Sequence, residues 1–228
     1  MKRVKSILLV FFVTEFLCEL SYAQDWPYLE RYRKDNEKIG LPAANEKRVV
    51  FMGNSITEGW INSRPDFFAG KPYVNRGISG QTTPQMLARF RADVIKLKPT
   101  VVVILAGTND IAGNTGPSTL EMIEDNIISM AQLAKSNGIK VVLCSVLPVL
   151  DYPWKPGLEP ADKIISLNIL LKSDAEKGGM IYVDCYSSMV NEQKGMKAEY
   201  SNDGVHPNVA GYKVMEPLVE SAIEIALN

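Results

Sequence analysis

The feature that most limits what this chain can fold into is its rhythm. Short, unbroken apolar runs alternate with amphipathic stretches of helical period. Arg48 to Met52, Tyr73 to Asn75, Val101 to Ala106, Val141 to Val146 and Ile181 to Cys185 read as five strands. A run like Val101 to Ala106, apolar at every position, needs cover on both faces, which a sheet between two helical layers supplies. Between the runs, Thr83-Pro84 opens a helix with a capping residue and then proline. Met86, Leu87, Phe90, Val94, Ile95 and Leu97 mark its buried face. Leu120 to Ser136 is a second helix stopped by Asn137-Gly138, and Ala161 to Lys177 a third stopped by Gly178-Gly179. Asn208 to Leu227 closes the chain as an amphipathic helix, and the polar, aromatic stretch Gln24 to Asn45 is predicted as a leading one. Strands alternating with helices imply right-handed crossovers. The expectation is a three-layer α/β/α fold around a five-stranded parallel sheet.

A chain of 228 residues suffices for one such domain and is too short for two ordinary ones. With 25 Lys and Arg against 26 Asp and Glu, the formal net charge is −1. That balance gives no electrostatic footprint for nucleic acid or an anionic membrane surface. The first residues read as an export signal. Met1 to Lys5 is basic, Ile7 to Leu20 is mostly apolar, and Ser21-Tyr22-Ala23 offers small residues where a signal peptidase cuts. The apolar stretch is short for a membrane span and is interrupted by Glu15 and Glu19. The expected organisation is therefore a signal peptide over residues 1–23 and one domain over 24–228, exported to the periplasm or beyond, with no integral membrane segment after cleavage. Cys144 and Cys185 lie in apolar runs and are expected as free buried thiols. No histidine or acidic cluster accompanies them, so no metal site is expected. No Gly-x-Gly-x-x-Gly or Gly-Lys-Ser/Thr loop is present, which removes a nucleotide-binding reading of the sheet.

In open parallel sheets, ligands bind beyond the carboxyl ends of the strands, near the switch in strand order. The residues there are unusually polar and glycine-rich: Asn54-Ser55, Gly77 to Gly80, and Gly107-Thr108-Asn109-Asp110. His206 is the only histidine, in Asp203-Gly204-Val205-His206-Pro207. A spacing of three puts Asp203 beside it on a helical turn, where a carboxylate can accept the Nδ1–H bond and fix the tautomer. Taken alone, an Asp and a His at this spacing are more often helix-capping residues. Ser55 supplies a nucleophile at the same edge, at the start of a helix whose N–H groups can bind an oxyanion. Gly80, lacking a Cβ, allows a backbone N–H to approach a reacting centre. Asn109 can donate its amide NH₂ to developing charge, although an Asn after a strand is often only a turn former.

These blocks resemble those of the SGNH (GDSL-type) hydrolase superfamily, over nearly all of the chain after the signal. The middle section, Asn75-Arg76-Gly77-Ile78-Ser79-Gly80-Gln81-Thr82-Thr83, Lys98-Pro99-Thr100 and Gly107-Thr108-Asn109-Asp110, is most similar to the platelet-activating-factor acetylhydrolase Ib catalytic-subunit branch. The resemblance implies a flavodoxin-like fold, no cofactor, Ser55 as nucleophile, Gly80 and Asn109 as oxyanion donors, and Asp203 and His206 as the remaining triad. One position departs. The family's usual Gly-Asp-Ser reads Gly53-Asn54-Ser55. That carboxylate is not the base of the nucleophile, so activity is expected to survive, with altered local hydrogen bonding. The expected function is an exported serine esterase acting on small acyl groups, acetyl above all, on a carbohydrate. Trp60, Tyr152 and Trp154 are placed by the pattern near the rim, where they could stack on sugar rings or simply pack. A lysophospholipase or thioesterase, which needs an apolar acyl groove, and a non-catalytic carbohydrate-binding module are the alternatives.

Overall fold

All five apolar runs join one sheet. The computed structural model describes residues 25–228, so the predicted signal peptide lies outside the described residues. Strands β1 (Val49–Gly53), β2 (Tyr73–Gly77), β3 (Val101–Leu105), β4 (Lys140–Cys144) and β5 (Ile181–Val183) are all parallel, in the order β2-β1-β3-β4-β5. The helices are α1 (Arg33–Ile39), α2 (Ser55–Ser63), α3 (Pro65–Phe68), α4 (Thr83–Asp93), α5 (Thr108–Ile111), α6 (Leu120–Ser136), α7 (Ala161–Gly178), α8 (Cys185–Met189) and α9 (Val209–Leu227).

The alternation of side chains along each strand creates the three layers. Val50 and Met52 of β1 pack with Met86, Phe90, Ile127 and Leu167 from α4, α6 and α7. Val49 and Phe51 pack with Ile56, Trp60, Met215 and Val219 from α2 and α9. Burying one such side chain contributes roughly 1.5–3 kcal/mol. Intrinsic helix preference varies by less than about 0.7 kcal/mol per ordinary residue, so the two buried sheet faces decide the fold.

Two glycines set where the functional edge lies. A Cβ on Gly53 would fall 2.0 Å from Thr57 Oγ1 and 2.8 Å from Leu105 O, and one on Gly77 would fall 2.1 Å from Glu58 N. Only glycine lets α2 lie in backbone contact with the ends of β1 and β2. Strand order reverses at β1, which pairs with β2 on one side and β3 on the other. Ser55 follows β1 and Asn109 follows β3, so both stand at the switch point.

Two local expectations are corrected. The leading helix spans Arg33–Ile39 alone. Before it, the Asp25 carboxylate accepts from Leu29 N and Glu30 N, both at 2.9 Å, and Tyr28 takes φ of +56°, which closes turns in place of a helix. The last strand ends at Val183, because the Asp184 side chain accepts from Ser187 N and caps α8, which begins at Cys185. Cys144 and Cys185 are both buried and free. Among the described residues, no helix is long and apolar enough to cross a membrane, and no cluster of His, Cys, Asp or Glu could hold a metal ion.

Candidate active site

Ser55 is the first residue of α2, and its cap is Asn54. The Asn54 side chain, 1% exposed, accepts from Ile56 N at 3.1 Å. An amide oxygen thus performs the capping duty, and the site does without a buried carboxylate at this position. Ser55 itself is half-buried, and its Oγ lies 2.9 Å from His206 Nε2. On the far side of the ring, His206 Nδ1 lies 2.7 Å from Asp203 Oδ2. The carboxylate favours the tautomer protonated on Nδ1, which leaves Nε2 to accept from the Ser55 hydroxyl.

The predicted spacing of Asp203 and His206 holds, but its local geometry is not a helical turn. Asp203 Oδ1 accepts from Val205 N at 2.9 Å and His206 N at 2.8 Å, an Asx-type turn with Gly204 at φ +78°. Ser201 Oγ donates to His206 O at 2.7 Å and ties the loop down. Asn208 then caps α9 through Ala210 N and Gly211 N. Further along that helix, the Tyr212 hydroxyl donates to Ile56 O at 2.8 Å. The helix after the histidine is thereby bonded to the helix that begins with the serine. Burial raises the Asp203 carboxyl, but the bonds from His206 N–H, from the imidazole and from Val205 N–H outweigh it and push it down to about 2.

Gly80 and Asn109 come together through Gln81, whose carbonyl oxygen accepts from the Asn109 amide. Gly80 sits at φ +77° in an exposed turn, and a Cβ there would meet no protein atom within 4 Å. The residue is glycine for its backbone conformation, and protein packing does not require it. Among the described residues, neither Ser55 N–H nor Gly80 N–H has a protein acceptor. Asn109 is buried in α5, and one of its amide N–H groups donates to Gln81 O at 2.9 Å. The bond holds the amide against the turn that contains Gly80 and leaves its second N–H uncommitted.

The sequence assigns no role to three supporting residues. Arg89, fully buried, donates to Gly53 O, Arg76 O and Gln81 Oε1 and pairs with Asp93, fastening the ends of β1 and β2 to the Gly80 turn. Its signal was available: an arginine on the apolar stripe of α4, between Met86 and Phe90. Glu58 accepts from Ser79 N and Ser79 Oγ and pairs with Arg31, clamping the same turn to α2. Asp110 accepts from Thr83 N and Thr83 Oγ1 and joins α5 to α4, with burial pushing its carboxyl up to about 6. Of the three expected rim aromatics, Trp60 and Tyr152 are buried packing residues. Trp154 alone is exposed, at 45%.

A family model, the GDSL-like lipase/acylhydrolase family, matches residues 51–214, which run from β1 through the His206 loop into α9. The chain belongs to that family. The family is described as one of lipases and acylhydrolases, relatives of this chain are named esterases, and this domain falls in the class of carboxylic ester hydrolases. The fold is similar to the crystal structure of a protein from Bacteroides fragilis assigned as an acylhydrolase, with 50% identity, TM-score 0.88, and coverage of 90% of this chain and all of that one. It is also similar to a GDSL-like lipase from Bacteroides thetaiotaomicron, with 49% identity, TM-score 0.86, and coverage of 88% and 99%. An acetylxylan esterase from Xylanibacter ruminicola is 30% identical over 225 residues, covering 82% of this chain and 45% of that protein. The chain spans about half the length of the curated relatives it matches first.

Proposed function

We propose that the protein is an exported serine esterase that removes small acyl groups, acetyl above all, from a carbohydrate. The observation that supports this most is the continuous relay from Ser55 Oγ through His206 to Asp203, at 2.9 and 2.7 Å. In this reading the Ser55 oxygen attacks the ester carbonyl carbon while its proton passes to His206 Nε2. The resulting oxyanion accepts from Ser55 N–H, Gly80 N–H and the free N–H of Asn109. Collapse breaks the bond to the alcohol oxygen, which leaves with the proton from His206. Water, deprotonated by the same nitrogen, then releases the acid and restores Ser55.

Two observations favour a small acyl group on a large alcohol. The side chains of His206 and Asp203 are 38% and 42% exposed, so the reacting edge is open to a bulky, hydrated partner. A cleft of about 550 Å³ is lined by Leu29, Leu41, Ala92 and Leu97 with Glu30, Arg33, Glu37 and Lys96 among them, and none of Ser55, Gly80, Asn109, Asp203 and His206 lines it. Arg48, just before β1, donates to Gly40 O and Leu97 O, which puts that end of the cleft at the amino ends of the strands. The Xylanibacter relative is named for acetylxylan, which agrees with this reading. Export rests on the signal-like residues 1–23.

A panel of nitrophenyl esters of rising chain length, run beside acetylated xylosides, tests the substrate class. Acetate is expected to be the best acyl group, with kcat/KM falling about tenfold or more by octanoate. A maximum at octanoate or longer supports the lysophospholipase or thioesterase alternative. Absence of turnover on every ester supports a binding module. The oxyanion assignment has its own check. Removing one preorganised donor costs about 10²–10³ in kcat, so Asn109→Ala is expected to lose that factor with KM little changed. Loss of thermal stability with normal kcat in the folded fraction would make Asn109 purely structural.

A further inference from the structure

We infer that Trp154 is the residue that selects the alcohol half of the ester, by stacking on a pyranose ring. The inference rests on the esterase reading above, because that reading fixes where the alcohol goes. The leaving oxygen takes its proton from His206 Nε2, so the alcohol must depart along the histidine side of the site. The Trp154 ring stands there. Its centroid is 6.1 Å from that of His206, with the planes tilted by 37°.

The ring is held in place. Its loop is closed by the Asp151 carboxylate, which accepts from Tyr152 N at 2.9 Å and Gly157 N at 2.8 Å. The Tyr152 ring, fully buried, backs the indole at 5.1 Å between centroids. The Tyr152 hydroxyl donates to Thr108 O at 2.8 Å, and Lys155 Nζ donates to Ala112 O at 2.9 Å. These two bonds grip both ends of α5, the helix that contains Asn109. The loop therefore fixes the indole in register with the oxyanion donors as well as with the histidine.

An indole held this firmly, yet 45% exposed, leaves an apolar surface uncovered in the free protein. Its chemistry suits the C–H face of a sugar ring, which is flat, weakly apolar and edged with hydroxyls that stay hydrated. An acyl chain would be better served by an enclosed apolar channel, and an anionic alcohol by a cation, whereas the Lys155 ammonium is committed to Ala112 O. Covering one indole face removes a few tens of Å² of apolar surface from water, equivalent to about tenfold in binding.

The test compares two acetates, methyl xylopyranoside monoacetate and ethyl acetate, as the ratio of their kcat/KM values. In the wild-type protein the ratio is expected to exceed ten. Trp154→Ala should lower it about tenfold, chiefly through KM for the pyranoside, and Trp154→Phe should restore much of it. A ratio above ten that Trp154→Ala leaves unaltered overturns the assignment of Trp154 while the carbohydrate reading stands. A wild-type ratio near one defeats the carbohydrate reading and the pyranose assignment together. The rate of fluorophosphonate labelling of Ser55 is read in parallel. If both esters slow equally and labelling slows with them, Trp154 serves the histidine and the proposal is wrong.

Discussion

Ser55→Ala is expected to abolish ester turnover, lowering kcat by about six orders of magnitude while the fold survives. The size follows from how serine and histidine act as one unit: removing either forfeits nearly all of the nucleophilic pathway. The fold survives because, among the described residues, the only side-chain partner of Ser55 Oγ is His206 Nε2. The helix start is held by other groups, the Asn54 side chain on Ile56 N and Asn54 O on Glu58 N. Alanine is well tolerated in a first helical turn. Stability by thermal or urea unfolding is expected to stay within about 0.5 kcal/mol of wild type. Residual activity within a hundredfold of wild type would place the nucleophile elsewhere.

Asp203→Asn is expected to lower kcat by about 10⁴, the second largest effect. The asparagine Oδ1 can still accept from Val205 N and His206 N, so the turn keeps its form. The change falls on the other atom. Where Oδ2 accepted from Nδ1–H at 2.7 Å, an amide NH₂ now points at the ring. The imidazole then prefers to carry its proton on Nε2 and cannot accept the Ser55 proton. In the native protein Asp203 is held at about 2, below the ordinary carboxylate range. It remains ionised throughout the pH range of an ester assay, and whatever stability it adds is present above that ordinary range and lost only as pH falls through about 2. The loss in the variant should therefore persist at every assay pH. Recovery of wild-type kcat at high pH would show that Asp203 acts only on the charge of the ring.

The sheet was legible because its strands are buried on both faces, and a run such as Val101 to Leu105 has no other way to hide. The residues of the candidate site could be picked out for a related reason. Strand ends in such a sheet converge on one edge, so polar residues immediately after β1, β2 and β3 were bound to meet. What escaped was everything decided by side-chain bonds across the fold. The Asx turn at Asp203 has the same spacing as a helical turn, and only the hydrogen bonds to Val205 and His206 tell them apart. The leading helix shrank because one carboxylate, Asp25, closes two turns that periodicity cannot register. Trp60 and Tyr152 looked like rim residues by position, yet one stacks between Phe67 and Tyr212 and the other is tied to Thr108. Arg89 was missed because a charged residue in a helix is read as solvated, whereas here backbone oxygens of two strands satisfy it.

Covalent labelling tests most directly whether His206 activates Ser55 as the single nucleophile. The protein is treated with a fluorophosphonate, digested, and its peptides weighed by mass spectrometry. One phosphonyl group per chain is expected, on the peptide containing Ser55, with a labelling rate that collapses in His206→Ala. Label on another residue, such as the neighbouring Ser79, or a rate that ignores the loss of His206, would contradict it.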